Sequence, residues 1–359
     1  MKSTIHINKD INGLHQLISN REGIFVIIDN NLQHLAENFK EYPSISLNFS
    51  EQKKTLDTIA QIAGWLLESG ADRNALVIGI GGGITTDMSG FAASIYKRGV
   101  KFAFVPTTLL AQVDASIGGK NGVNFDSYKN ILGTINQPEW IFICPQLLAT
   151  LPEDEFKAGI AEVLKTFVLF DRQMYCKAVD YFAAVALSRS GDNAGKAAYG
   201  ENAVAYDMEL LQEIIGKCAQ YKSGVVERDE FEKGERRLLN LGHTFAHAIE
   251  KLAGGNISHG YAVSIGMVIA ARFAQELASA DKEFAQMLSD DLRRCGLPAS
   301  LQDLPQTAHL AVADLAVAVT KDKKVSGSNI HFILPAGLEN VEDVLVPLET
   351  VKRIANDLC

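Results

Sequence analysis

Short apolar runs and stretches of helical apolar spacing alternate along the N-terminal part of the chain. Residues 24–29, Ile-Phe-Val-Ile-Ile-Asp, are apolar up to a closing Asp29-Asn30-Asn31, which predicts a buried strand entering a turn. Residues 45–49 predict a second short strand. From about Glu51 the apolar positions Leu56, Ile59, Ile62, Ala63, Leu66 and Leu67 share one helical face, and Gly70 marks its stop. Residues 75–80 are continuously apolar; Gly81, Gly82 and Gly83 then lead into a predicted helix over 85–97 and a strand over 100–105. Such alternation predicts a mostly parallel sheet covered by helices. Pro106-Thr107-Thr108 ends the last of these strands, and 109–115 is a short helix or loop. Residues 116–125, Ser-Ile-Gly-Gly-Lys-Asn-Gly-Val-Asn-Phe, are too rich in Gly and Asn for a regular element and are expected to be an irregular, functional segment. A strand over 141–144 closes the series.

Between Pro145 and Pro152 the style changes. Helical apolar spacing runs over 153–170, 173–187, 208–229, 235–252, 262–280 and 282–295, and residues 329–334 are strand-like. Residues 188–200 are rich in Gly, Ser and Asn and read as a loop. No internal repeat at a fixed period is present. The pattern predicts two domains, an α/β domain over 1–151 and a helical domain over 152–359.

Composition agrees with that division. The 359 residues, 47% hydrophobic and 21% charged, suffice for two full cores in an ordinary globular protein. A net charge of −9 argues against a general nucleic-acid surface. The N-terminus, MKSTIHINKDINGL, has no apolar leader core, and no apolar run reaches membrane-spanning length. Five scattered cysteines form no CxxC pair, which suits reduced thiols in a cytoplasm.

The glycine turn carries the first candidate chemistry. Glycines between a strand and a helix allow unusual φ/ψ and close backbone approach to a ligand, and the helix aims its free N–H groups at an anion such as a pyrophosphate. The usual dinucleotide fingerprint is nevertheless incomplete, since Thr86 stands where a third glycine belongs and no acid lies near Lys101. This is a nucleotide turn of another build, or simply a tight turn. Asp29, at a strand end, is placed to accept ribose hydroxyls, while Asp87 also reads as an ordinary first-turn acid.

A second constellation is Glu162, inside an apolar helical stretch, with His243, His247 and His259. A buried carboxylate with two imidazoles suits a divalent ion such as zinc with positions left open. The plain alternative is a set of satisfied polar residues in a helical core. On spacing alone His243 and His247, one turn apart, form the natural ligand pair. Around them are oddly placed cations: Arg98, Lys120 in the Gly-rich segment, Lys129, Lys165 one turn after Glu162, Lys222, Arg236, Arg237, Lys323 and Lys324. If they converge, they suit a small anion bearing phosphate and carboxylate.

Taken together, the blocks GGGITTDMSGFAASIYKRG, VPTTLLAQVDASIGGKNGVN, Lys129-Asn130, LPEDEFKAGIAEVLK, RRLLNLGHTFAHAIE, HGYAVSIGM and DKKV resemble the 3-dehydroquinate synthase family, in that family's order and over nearly the whole chain. The resemblance implies a Rossmann-like α/β domain followed by an all-α domain, with the site in the cleft between them. It implies NAD and a divalent metal, zinc or cobalt, as cofactors and a homodimer as the assembly. The implied reaction turns 3-deoxy-D-arabino-heptulosonate 7-phosphate into 3-dehydroquinate and phosphate without net redox.

By motif, the metal ligands are then Glu162, His243 and His259, and His247 moves to the phosphate side. Lys222 and Arg236 match the pair that holds the substrate carboxylate. Lys120, Asn130, Asn240, His247 and Lys323 or Lys324 match groups around hydroxyls and phosphate, and Arg98 one that reaches the neighbouring subunit. Asp29, Asn31, Glu51, Lys54, Gly82, Gly83, Asp87, Thr107, Thr108, Lys129 and Thr150 match NAD contacts. Asp114 and Lys165 match residues near nicotinamide, metal and substrate. Two positions depart from the family: Thr86, expected beside the pyrophosphate, and Asn121 in Gly-Gly-Lys-Asn-Gly. The stretch 188–206 matches no motif. Rival readings are other sugar-phosphate cyclases, whose carboxylate-free substrates give Lys222 and Arg236 nothing to hold, and a metal-dependent alcohol or glycerol dehydrogenase. The third is a non-catalytic NAD-binding scaffold.

Overall fold

A computed structural model of the chain describes residues 3–126, 128–188, 207–277, 280, 283–319, 325–326 and 328–358. They form two compact units, one of residues 3–151 with 207–227, the other of residues 152–188 with 228–358. Lys323, Lys324 and the stretch 189–206 lie outside the described residues.

The strands of the first unit are, in chain order, β1 (Thr4–Ile7), β2 (Ile24–Asp29), β3 (Ser44–Leu47), β4 (Leu76–Gly81), β5 (Lys101–Pro106), β6 (Lys120–Phe125), β7 (Tyr128–Ile135) and β8 (Trp140–Ile143). Six of them make one parallel sheet in the order β1-β8-β5-β4-β2-β3. The interiors of the central strands are apolar because both of their faces are covered, the condition that parallel sheets impose. Leaving β2 the chain moves outward to β3, whereas leaving β4 it moves to β5 on the opposite side. The carboxyl ends of β2 and β4 therefore flank a topological switch point, where ligands of open α/β sheets bind. Asp29 ends β2 and Gly81 ends β4.

Residues 120–125 correct the expectation of an irregular segment over 116–125: they form β6, which pairs with β7 as an antiparallel hairpin. Gly122 and Gly133 face each other across it, and a Cβ on Gly133 would lie 2.4 Å from the Asn121 carbonyl oxygen. The glycines that make the sequence look irregular are what lets the two backbones close together. Asn121 is buried beneath them, donating to the carbonyls of Gly119 at 2.8 Å and Asn136 at 2.9 Å. That departure from the family pattern is a structural tie.

Helix Met208–Arg228, which sequence order assigns to the second domain, contributes residues 208–227 to the first unit. The second unit is built on helices Glu153–Phe170, Arg172–Ser188, His243–Leu252, His259–Glu276 and Phe284–Arg294. It is not purely helical. Near its end β9 (Val325–Ser326), β10 (Asn329–Gly337) and β11 (Asn340–Pro347) form an antiparallel sheet in the order β11-β10-β9. Phe332 of β10 packs on Phe245 and Phe273, with ring centroids 5.3 and 5.9 Å away, and so joins the sheet to the two histidine-bearing helices.

The single helix expected over 235–252 is broken. A 3-10 turn, Glu235–Asn240, precedes helix His243–Leu252, and Gly242 between them adopts a left-handed φ of 78°. A Cβ there would lie 2.9 Å from the Val263 carbonyl oxygen, so glycine is required both by conformation and by space. Among the described residues no helix is long and apolar enough to cross a membrane.

Candidate active site

In the first unit, Gly82 caps the helix Gly83–Ile95 without any side-chain cap, so the leading N–H groups are offered to solvent or to an anion. None of Gly81, Gly82 and Gly83 has positive φ, contrary to the expectation of unusual backbone angles. Their use is room: a Cβ would come within 2.4 Å of Thr85 Oγ1 at Gly81, 3.0 Å of Thr108 Cγ2 at Gly82 and 3.1 Å of Ala115 Cβ at Gly83. Thr86 keeps its side chain against this turn. It is buried and its hydroxyl donates to the Gly83 carbonyl at 2.9 Å.

Asp29 reaches the same corner, accepting from Asn31 N at 3.0 Å and from Thr85 Oγ1 at 3.5 Å. Burial raises its carboxyl above the ordinary value, against the Asn31 backbone N–H. The same unit holds a linked polar set. Lys54, 4% exposed, donates to Asp87 Oδ2 and Asn130 Oδ1, each at 2.5 Å. Burial lifts the Asp87 carboxyl despite the Lys54 ammonium. Asn130 holds a positive φ of 51° and donates its N–H to Asn124, whose amide donates to Glu51 Oε1 at 2.8 Å. The structure thus brings Glu51, Lys54, Asp87 and Asn130 together.

Asp114 lies on a single π-helical turn, Ala111–Ala115, an irregularity common at functional sites. Lys222 Nζ donates to its carbonyl at 2.7 Å and pairs with its carboxylate at 2.8 Å. Thr107 is buried beside Gly81, and Thr108 Oγ1 accepts from Ala111 N at 3.1 Å. Asn31, Arg98, Lys120, Lys129 and Thr150 are exposed, and Arg98 sits at a positive φ of 70°.

In the second unit Glu162 is wholly buried on helix Glu153–Phe170, in ion-pair contact with Lys165, itself 1% exposed. His259 Nε2 is 3.3 Å and His243 Nε2 3.6 Å from Glu162 Oε1. Metal-ligating atoms of the three residues all lie within 4.8 Å of one another. His247 is not in the set: its ring stands edge-on to His243 with centroids 5.8 Å apart, and it is exposed. Tertiary placement overrules the one-turn spacing because His259 opens a separate helix, capped by Ser258, whose hydroxyl accepts from Tyr261 N.

Each histidine is steered through its other nitrogen. His243 Nδ1 lies 3.1 Å from the Leu241 carbonyl and His259 Nδ1 3.2 Å from Glu250 Oε1, so both Nε2 atoms turn toward Glu162. Neither Glu162 oxygen makes a hydrogen bond of good geometry. Burial would raise the Glu162 carboxyl, but Lys165 and the imidazoles hold it well below the carboxylate range. Burial and the Lys165 cation keep His243 well below its ordinary value. Burial opposes charge on His259 too, yet Glu162 and Glu250 together raise it to about 10. A buried carboxylate with unmet acceptor capacity and two oriented imidazoles fits a divalent ion.

Sequence reasoning missed three acids. Glu250 is buried two turns after His243 on the same helical face, a spacing that was visible in the chain. Glu232, at a positive φ of 57°, accepts from Asn240 Nδ2 at 2.5 Å. Asp229 binds the backbone of the segment that carries Arg236, which is itself buried with Nη1 donating to the Glu230 carbonyl at 2.5 Å.

Residues 44–158 match the family described as 3-dehydroquinate synthase N-terminal, and residues 159–325 the family described as 3-dehydroquinate synthase C-terminal. A 3-dehydroquinate synthase of Sulfurisphaera tokodaii is 37% identical over 346 residues, 96% of this chain and 93% of the relative. One from Microcystis aeruginosa is 41% identical over 292 residues, 81% of this chain and 74% of the relative. Among solved structures, a 2-epi-5-epi-valiolone synthase from Streptomyces hygroscopicus with NAD+ and Zn2+ bound superposes with a TM-score of 0.82 at 23% identity, covering 100% of this chain and 97% of that one.

Proposed function

The chain belongs to the 3-dehydroquinate synthase family, and from that premise we propose that it converts 3-deoxy-D-arabino-heptulosonate 7-phosphate into 3-dehydroquinate and phosphate. The observation that carries this reading is the Glu162, His243 and His259 set, in which a fully buried carboxylate keeps both oxygens without hydrogen bonds of good geometry. These residues would hold a divalent ion, zinc or cobalt. The uncapped helix at Gly82 and Gly83, with Asp29 and Asp87 beside it, would hold NAD. When bound, the ion supplies Lewis acidity toward neighbouring hydroxyls and NAD a reversible hydride acceptor, so that oxidation and later reduction cancel.

The chain's own residues do the rest. Glu250 and the Leu241 carbonyl hold the ligand imidazoles in one tautomer and orientation. Lys165 keeps Glu162 anionic in a buried place. Lys222 and Arg236 are the residues proposed to take the substrate carboxylate. His247, Asn240, Lys120, Asn130 and one of Lys323 and Lys324 take hydroxyls and phosphate. Orientation of this kind is what a multistep elimination and ring closure needs from a protein.

A homodimer belongs to the same proposal. Phe125, Tyr128, Ile131 and Ile135 on the β6–β7 hairpin are 41–59% exposed, and such exposed apolar side chains support self-association. In such a dimer Arg98 would serve the partner's phosphate. We also place the enzyme in the cytoplasm, on the route to aromatic amino acids; the described cysteines, Cys144, Cys176, Cys218 and Cys295, are all free thiols.

The test is phosphate release from the heptulosonate phosphate with catalytic NAD and zinc, followed together with nicotinamide absorbance. The expected result is stoichiometric phosphate without accumulating NADH, abolished by a chelator. NADH accumulating with turnover would move the chain to the dehydrogenases.

A further inference from the structure

We propose that Asp229 is a positioning residue for substrate recognition, fixing the loop that presents Arg236 and Glu232; this rests on the reading above that Arg236 receives the substrate carboxylate. Asp229 follows directly on Arg228, the last residue of a 21-residue helix. A carboxylate there faces the negative end of the helix dipole, so helix stability does not account for it. What it does is bind backbone. Its Oδ1 accepts from Lys233 N at 2.9 Å, and its Oδ2 from Gly234 N at 2.7 Å and Arg236 N at 3.0 Å. Three N–H groups of one short loop converge on one side chain. The Lys233 N–H and its companions hold the Asp229 carboxyl below its ordinary value, so it is anionic whenever they are engaged.

The folded loop has two products. Glu232 is held at a positive φ of 57° and accepts from Asn240 Nδ2 at 2.5 Å. Arg236, 2% exposed, has its main chain fixed by Asp229 and its guanidinium fixed by the Glu230 carbonyl. Arg228 clasps Glu235 through two hydrogen bonds, of 2.8 and 2.7 Å, across the mouth of the same loop. An arginine binds a carboxylate in two-pronged fashion only when its plane is already oriented. Asp229 supplies that orientation at the backbone, without touching substrate.

The experiment uses the full chain with NAD and zinc, and reads KM and kcat for 3-deoxy-D-arabino-heptulosonate 7-phosphate. Asp229→Ala is expected to raise KM by about tenfold or more, with a smaller change in kcat and unchanged zinc and NAD affinities. In an Arg236→Ala background the same change is expected to add less than about twofold, because both act on one interaction. Asp229→Asn, which keeps one acceptor oxygen, should fall between, and it carries the test if the alanine variant does not fold. An unchanged KM with only a lowered melting temperature or less active protein would mean a merely structural role and overturn the inference, as would full additivity with Arg236→Ala. A wild type that releases no phosphate overturns the functional reading, and this inference with it. An active wild type whose Asp229 variants keep their KM overturns this inference alone.

Discussion

Gly260 crosses Ala158 so closely that a Cβ on Gly260 would lie 2.0 Å from the Ala158 carbonyl oxygen. Ala158 lies one turn before Glu162 on its helix, and Gly260 follows His259 directly. The crossing therefore sets the spacing between the carboxylate and one imidazole of the candidate metal set. Gly260→Ala must push the two helices apart, since backbone cannot yield as a flexible side chain does. The expected outcome is a folded protein whose zinc affinity falls by about tenfold to a hundredfold, the range seen when supports of metal ligands are lost. Zinc competition with a chromophoric chelator measures it, and unchanged affinity in a folded variant would refute the relationship.

Glu162→Gln keeps the shape of the side chain and removes its charge. The amide offers the ion one neutral oxygen in place of an anion that is now buried without good hydrogen bonds. Zinc should be lost on dialysis and phosphate release should fall by at least about a thousandfold, with the circular dichroism spectrum retained. Full activity with unchanged metal content would reject the ligand set.

How far the sequence carried this site depends on which forces placed each residue. Strand β2 was legible because burial on both faces makes residues 24–28 apolar without interruption before the closing Asp29. The β6–β7 hairpin was not, since it rests on Gly122 facing Gly133 and on buried Asn121, pairings that no apolar alternation announces. The break at Gly242 was hidden for a related reason: the residues on both sides keep helical spacing, and only the left-handed backbone separates them. β11 was missed because most of its side chains are exposed, leaving no apolar run to read. At the candidate metal centre the residue types were legible, but spacing favoured His247, and only the start of a separate helix at Ser258 brings His259 to Glu162.

Zinc binding should release a proton. His259, raised to about 10 by Glu162 and Glu250 against the opposing effect of burial, is protonated at neutral pH, whereas His243 is held neutral. A ligand nitrogen must shed its proton to bind the ion. Apparent zinc affinity should therefore rise about tenfold per pH unit between roughly pH 6 and 8, with close to one proton released per ion. Calorimetry in buffers of different ionisation enthalpy counts that proton. A flat profile would mean that the metal does not engage His259.

Glu139 gives a stability prediction in the first unit, away from the site. It pairs with Arg21 and, at 3.0 Å, with Lys101, just before β8 enters the sheet. The Arg21 guanidinium, with Lys101, holds its carboxyl below the ordinary 4.5, against partial burial. A carboxylate lowered in the folded state stabilises above its unfolded value, and that stabilisation is lost as pH falls through the folded one. Glu139→Gln should then cost about 1 kcal/mol at pH 7, because the pair is only partly screened by solvent. In melting temperature that is about 2 °C. The deficit should shrink as the pH drops below 4.5, since the wild type is then losing the same charge. Paired thermal melts of the two proteins across that range decide it. A deficit that persists unchanged in acid would assign the effect to packing of the side chain and not to its charge.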